Sequence, residues 1–205
     1  MMARTLITEH DFSFRRICAA LLLWVVKWFE ELGAAWPAVG TLYGHLFYES
    51  MVQREMVAAG LSPGMKVLHI GSGRLPLTAM AMARRGMRVD AIDNDLRAVQ
   101  VARRLVEHAR LTDRVDVQQS DGTSIDCSRY DAVLLSLHVL PKRAAIFSVL
   151  QTLSPGARLI YRNPRGMCRC LYETIQPADL AGGMRYDVTR QTLGKQTVVV
   201  QRPAP

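Results

Sequence analysis

Three short stretches of the chain hold residue types that could bind a nucleoside. The first, KVLHIGSGRLPLT (Lys66 to Thr78), is an apolar run ending in Gly71-Ser72-Gly73. Glycines in such a turn have no Cβ, so the backbone can approach a ligand closely, and the amides leading into a helix near Thr78 can face it. The second, AIDND, puts Asp93 twenty residues after Gly73, with Asn94 beside it. A carboxylate at the end of a second strand can accept hydrogen bonds from ribose hydroxyls. The third, SDGTS, adds Asp121 and Gly122 at the end of another apolar run. Singly, the glycines read as turn residues and Asp93 or Asp95 as the cap of the helix DLRAVQVARRLVEHAR. At this spacing they form a constellation.

The elements that must position these residues follow from periodicity. From Met65 onward, short apolar runs alternate with helical periods, the sign of a parallel sheet with crossover helices. Strands are predicted at KVLHI, Arg88 to Asp93, Arg114 to Gln119, Asp131 to Ser136 and Ala157 to Arg162. Helices are predicted at about 78–85, 95–109, 142–152 and 167–175. Pro63-Gly64 and Pro155-Gly156 supply turns ahead of strands, and the tail around Gly194-Lys195 reads as an antiparallel hairpin. Residues 1–60 read as helical: one helix runs through FRRICAALLLWVVKWFEEL to Gly33, and a second from about Gly40 to Ala59. Two parts are expected, an N-terminal helical lid over 1–60 and a Rossmann-like domain over 61–205. The fold class is α/β, with a mostly parallel seven-stranded sheet.

Ligands of such sheets bind beyond the carboxyl ends of the strands at the switch point. The glycine loop and Asp93 are shared with nicotinamide-binding enzymes, but those usually carry a fuller G-x-G-x-x-G, and Pro76 stands where the last glycine would be. Asp121 lies where class I S-adenosylmethionine (SAM) enzymes recognise the adenine amino group. The three signals together resemble that fold, with SAM as ligand. The sulfonium of SAM activates three carbons, and the one that reacts is the one held in line with a nucleophile. Fold alone does not choose among them.

Two further features sharpen the resemblance. GSGRLPLT is similar to the G-S-G-x-x-P-L-T loop of the nicotianamine synthases, which also lack an acidic residue where this chain has His69. Tyr161 to Gly183 follows their post-sheet segment without gaps, sharing Arg162, Gly166, Leu171, Tyr172, Pro177, Asp179, Leu180 and Gly182. YESMVQRE places Tyr48 and Glu55 on the family's tyrosine and glutamate, seven apart and so on one helical face. The resemblance covers roughly residues 45–202. It implies attack on the γ-carbon of SAM with release of methylthioadenosine. It also implies that Glu55 deprotonates the attacking amine, as an ammonium must lose a proton before it attacks. The other reading of Glu55 is a solvent-facing residue beside Arg54.

The chain departs from the family in a shorter helical part, in Arg165 at a histidine position and in Cys168 at an arginine position. A small lid suits cyclisation, in which SAM's own α-amine attacks and azetidine-2-carboxylic acid forms, as in bacterial azetidine-2-carboxylic acid synthases and secondary-metabolite pathways. Aminobutyrate transfer to a small external amine is its neighbour. Tyr48 and Tyr172 are candidates to stabilise the sulfonium by cation–π contact, or are core tyrosines. Arg162 and Asn163, at the end of the fifth strand, are candidates to hold the carboxylate, and Ser136 lines the fourth strand end. A small-molecule methyltransferase with His138 as base is the alternative, where His138 otherwise packs or caps; a non-catalytic SAM-binding protein is a third.

The whole composition fits a globular, cytoplasmic protein. It is 49% hydrophobic and 21% charged. The net charge is +8, but basic pairs such as Arg84-Arg85 and Lys142-Arg143 are scattered and read as solvated helix faces rather than a nucleic-acid surface. Four cysteines without C-x-x-C or histidine neighbours indicate reduced thiols and no metal. Ile17 to Val26 is too short to span a bilayer, and Glu9, Asp11, Lys27, Glu30 and Glu31 flank it, so no stable membrane insertion is expected. Homo-oligomerisation is left open.

Overall fold

The computed structural model describes residues 48–180, 184–191 and 194–202. The first predicted helix and the run Ile17 to Val26 lie outside them. Of the part expected to form an N-terminal helical lid, the described helix is α1 (Glu49–Ala58).

Strands and helices then alternate as the periodicity requires. They are β1 (Lys66–Ile70), α2 (Leu77–Arg84), β2 (Arg88–Asp93), α3 (Leu96–His108), β3 (Val115–Gln119), β4 (Ala132–Leu135), α4 (Lys142–Thr152) and β5 (Arg158–Pro164). After a 3-10 turn at Gly166–Cys170 come α5 (Pro177–Leu180), β6 (Arg185–Arg190) and β7 (Lys195–Gln201). The seven strands form one sheet in the order β3-β2-β1-β4-β5-β7-β6. All neighbours are parallel through β5; β7 inserts antiparallel between β5 and β6, as the predicted closing hairpin. The order reverses at β1 and β4, which places the ligand crevice above their carboxyl ends.

Both faces of the sheet are covered, so its central strands read as unbroken apolar runs. One face packs Val67, Ala91, Leu134 and Ile160 against Val52 and Met56 of α1, the α2 alanines and methionines, and Val99, Ala102 and Val106 of α3. The other packs Leu68, Val133, Leu135, Leu159 and Val198 against Ala145, Ile146 and Val149 of α4 and against Ile175 and Leu180. Each fully buried aliphatic side chain contributes about 1.5–3 kcal/mol by leaving water. The Asp95 side chain caps α3, accepting from Arg97 N–H at 2.8 Å.

Two expectations are corrected here. The helix expected over 167–175 is a single 3-10 turn followed by a turn and irregular chain. Gly166 starts that turn at φ 57°, and the Asn163 side chain captures Ile175: Nδ2 donates to its carbonyl at 2.6 Å and Oδ1 accepts from its N–H at 3.2 Å. Backbone groups bonded to an asparagine cannot enter a helical ladder. Asn163 is fully buried, with both ends of its side-chain amide bonded to Ile175. Lys142, expected on a solvated face, is also buried: it lies on the stripe Lys142, Ala145, Ile146 and Val149, and its ammonium donates to the Arg162 carbonyl at 2.9 Å. Burial pushes its pKa down to about 8, against the opposing pull of Glu173.

Asn163→Ala would leave the Ile175 amide without a partner in a buried site, and its carbonyl with the Tyr161 hydroxyl at 3.5 Å as its remaining donor. A stability loss of about 1–3 kcal/mol is expected, read as a lower urea midpoint at unchanged slope.

Candidate active site

A cavity of about 600 Å³ opens over the carboxyl ends of β1, β2 and β3. The residues predicted to hold a nucleoside line it: Gly71, Gly73, Asp93, Asn94, Asp121 and Gly122, with Ile92, Ala98, Val139 and Leu140 as apolar walls. Asp93 ties two loops together, because its Oδ2 accepts from Gly73 N–H at 2.8 Å and its Oδ1 from Asp95 N–H at 3.0 Å. Gly71 has φ 75°, and a Cβ there would lie 2.6 Å from Val139 Cγ2, so this position requires glycine. The Thr123 N–H and hydroxyl both bond Asp121 and hold its carboxyl below the usual carboxylate range.

A second, smaller chamber of about 80 Å³ adjoins it, with Gly71, Gly73, Arg74 and His138 as common walls. Its own lining is more polar: Tyr48 from α1, His69 from β1, Ser72, Thr78 from α2, Ser136, Arg162 from β5 and Lys195 from β7. His69 Nε2 and Ser136 Oγ are hydrogen-bonded at 2.9 Å. Burial first, and the neighbouring Arg162 charge second, bring the His69 pKa down to about 3, so the imidazole is neutral. His69 Nδ1 and Ser72 Oγ are buried without a partner among the described residues. Unmatched buried polar atoms beside a cavity mark a place built for another polar group. The Lys195 ammonium stands 5.6 Å above the Tyr48 ring, and His138 meets Tyr172 edge-on at 5.0 Å.

Behind this chamber lies a buried ionic network. Glu55 is fully buried, on the stripe Met51, Val52, Glu55 and Met56 that α1 turns to the sheet. Arg162 Nε and Nη2 donate to its two carboxylate oxygens at 2.8 and 2.7 Å, and Thr197 donates its hydroxyl to Glu55 Oε1 at 2.8 Å. Arg162 Nη2 also donates to Thr78 Oγ1 at 3.1 Å. Gln191 extends the network, donating to Thr197 and accepting from Arg54 Nε.

The predicted site residues thus fall into three groups. The six glycine-loop and strand-end residues share the larger cavity, with Tyr172. Ser72, Ser136, Tyr48 and Arg162 meet instead in the chamber. Glu55 and Asn163 line neither. The solvent-facing reading of Glu55 is therefore overturned, and direct contact with an amine is absent from this arrangement, because Arg162 and Thr197 take its oxygens. Arg162 reaches the chamber, but its paired Nε–Nη2 edge belongs to Glu55, and the second Nη2 proton goes to Thr78. The two-pronged grip on a substrate carboxylate expected of it is already occupied. Sequence reasoning missed Thr78, Thr197, Lys195 and Lys142; only Lys142 left a local signal, the apolar stripe of its helix.

The fold agrees with comparisons to known proteins. The family model for nicotianamine synthase protein matches residues 44–201. The chain belongs to the nicotianamine synthase protein family. Within it, L-histidine 2-aminobutanoyltransferase of Yersinia pestis is 30% identical over 121 residues, 58% of this chain and 45% of the relative. Nicotianamine synthase of Solanum lycopersicum is 28% identical over 127 residues, 57% of this chain and 40% of that protein. The chain spans about half the length of the curated relatives it matches. A solved mutant of MtNAS in complex with S-adenosylmethionine aligns over 96% of this chain and 79% of its own, with a TM-score of 0.78 at 23% identity, which confirms the Rossmann-like SAM-enzyme fold.

This family member is expected to be acid-sensitive through His69. The unfolded imidazole titrates near 6.5 and the folded one near 3, so between those values the unfolded chain binds more protons. Stability falls as pH drops through this window, by up to about 1.4 kcal/mol per unit. Urea unfolding at pH 6.5 and pH 4 should show a steeper decline for the wild type than for His69→Asn; parallel declines would refute a buried neutral imidazole. Glu55→Ala leaves the Arg162 charge buried and unpaired, and a loss of about 3–5 kcal/mol is expected in the same measurement.

Proposed function

We propose that this protein takes SAM as its substrate and breaks the Cγ–S bond, releasing methylthioadenosine. The attacking group is SAM's own α-amine, and the product is azetidine-2-carboxylic acid. The larger cavity receives the nucleoside, with Asp93 toward the ribose and Asp121 toward the adenine. The chamber receives the aminocarboxypropyl arm.

The observation that carries this reading is the size of the chamber. A water needs about 10–15 Å³ of such volume, so about 80 Å³ has room for about five to eight heavy atoms. The arm has about seven. One folded arm fits between the described residues, and a second amino acid does not. Confinement brings the amine and the γ-carbon of one molecule together, which supplies much of the rate. The α-ammonium first loses a proton to solvent, the amine lone pair then forms the N–Cγ bond and the C–S electron pair goes to sulfur, leaving the cyclic ammonium and methylthioadenosine. Tyr48 lines the chamber and is the candidate for cation–π contact with the sulfonium. Tyr172 works from the larger cavity against His138. Glu55 acts as a positioning residue, holding Arg162 at the chamber wall.

Transfer of the arm to an external amine is the second reading, favoured by the names of the relatives, an L-histidine 2-aminobutanoyltransferase and a nicotianamine synthase. The purified chain incubated with SAM alone should yield methylthioadenosine and azetidine-2-carboxylic acid in equal amounts by mass spectrometry. Turnover that appears only with an added amine would favour transfer. S-adenosylhomocysteine appearing with an acceptor would replace both readings by methylation.

A further inference from the structure

We propose that His69 and Ser72 form the carboxylate subsite of the chamber, donating from Nδ1 and Oγ to the α-carboxylate of an amino-acid-bearing nucleoside. The inference rests on the reading of the chamber given above and says which end of the arm this wall recognises.

The strand register brings the pair to its place. His69 pairs with Leu134 of β4, which pairs with Ile160 of β5. Side chains two apart on a strand share a face, so Arg162 follows Ile160 onto the face that His69 occupies, and the Ser136 hydroxyl meets His69 there at 2.9 Å. Ser72 belongs to the glycine loop that follows β1, and it lines the same chamber as His69.

The hydrogen bonds assign the tautomer of His69. A hydroxyl always carries a proton, and His69 Nε2 is the acceptor that Ser136 has among the described residues. Ser136 therefore donates, Nε2 accepts, and the proton of the neutral ring sits on Nδ1. Nδ1–H and the Ser72 hydroxyl are then two buried donors with no acceptor. Donors held away from water without a partner are costly, so the group that belongs here is an acceptor. Of the polar groups on the arm, the carboxylate accepts, whereas an α-ammonium can only donate. The Arg162 charge that opposes protonation of His69 opposes an ammonium in the same place. Both atoms are sealed from water in this arrangement, and a turn of Ser72 from one staggered rotamer to the next is the small motion that opens the pair to a carboxylate oxygen. The pair leaves the α-amine unengaged, with its lone pair available to the γ-carbon.

Two unreactive probes isolate the carboxylate. S-adenosylhomocysteine carries the whole arm on a thioether, and S-adenosyl-3-thiopropylamine is the same molecule without the carboxylate. Titration calorimetry of the full chain compares them for the wild type, Ser72→Ala, His69→Phe and His69→Asn. Ser72→Ala and His69→Phe are each expected to weaken S-adenosylhomocysteine about tenfold, the loss of a charge-assisted hydrogen bond, while the decarboxylated probe changes less than about twofold. His69→Asn, which restores an N–H donor, should recover most of the affinity. Equal weakening of both probes would mean that the pair only packs the loop or holds the amine, and unchanged binding of S-adenosylhomocysteine would mean that the carboxylate lies elsewhere; either overturns the proposal. If His69→Phe fails to fold, Ser72→Ala is read in the same way. A wild type that binds neither S-adenosylhomocysteine nor methylthioadenosine overturns the functional reading itself, whereas one that binds the two arm-bearing probes equally well overturns this proposal alone.

Discussion

The structure depends on one buried ion pair, Glu55 with Arg162. Removing two charges from water costs several kcal/mol for each ion, and only good geometry with further hydrogen bonds offsets it. Here the contact is two-pronged, Thr197 adds a third donor to the carboxylate, and Thr78 accepts from the guanidinium. Four elements therefore meet at one point: α1, α2, β5 and β7. Tyr48, two helical turns before Glu55, is carried to the chamber by α1. Lys195 is carried there by β7. The ion pair and the packing of Val52 and Met56 together hold α1 on the sheet beside the chamber.

His69 is the second half of that arrangement. An acidic residue at this position in β1 would compete with Glu55 for the same guanidinium. A histidine kept neutral by burial and by the nearby Arg162 charge does not, so the arginine stays committed to α1. The departure from the common SAM-enzyme pattern thus has a local electrostatic reason. It leaves a chamber wall made of an uncharged ring and hydroxyls, Ser72, Thr78 and Ser136, beside the cationic Lys195 and Arg74. The larger cavity is built in another way, from backbone and two carboxylates held in loop hydrogen bonds.

Much of this was legible in advance, and the reasons differ from element to element. β1 and β2 coincide with their predicted spans, and β3, β4 and β5 shift by one or two residues at their ends; β1 and β4 are continuous buried runs, whereas the edge strand β3 buries Val115 and Val117 and exposes Asp116. Asp93 and Gly73 were paired by spacing and are hydrogen-bonded in the fold. The segment 167–175 was misread because its conformation is imposed from β5 by Asn163, a contact no helical period reveals. Lys142 was misread because a basic pair suggests solvent, although its spacing from Ala145 and Val149 already put it on the apolar stripe of α4.

By itself the sequence determined the alternating α/β order, the three strand-end signals that line the larger cavity and the membership of a family, since each is written in local periods and short motifs. The tertiary structure alone decided which polar side chains meet. Glu55 and Arg162 are 107 residues apart, and Glu55 and Thr197 are 142 apart. Nothing local distinguishes a carboxylate facing water from one facing a guanidinium across the sheet. That choice follows from the strand order, which inserts β7 next to β5, and from the docking of α1 above them. The physical reason is that a charge is accepted in the interior only where a partner arrives from elsewhere in the chain.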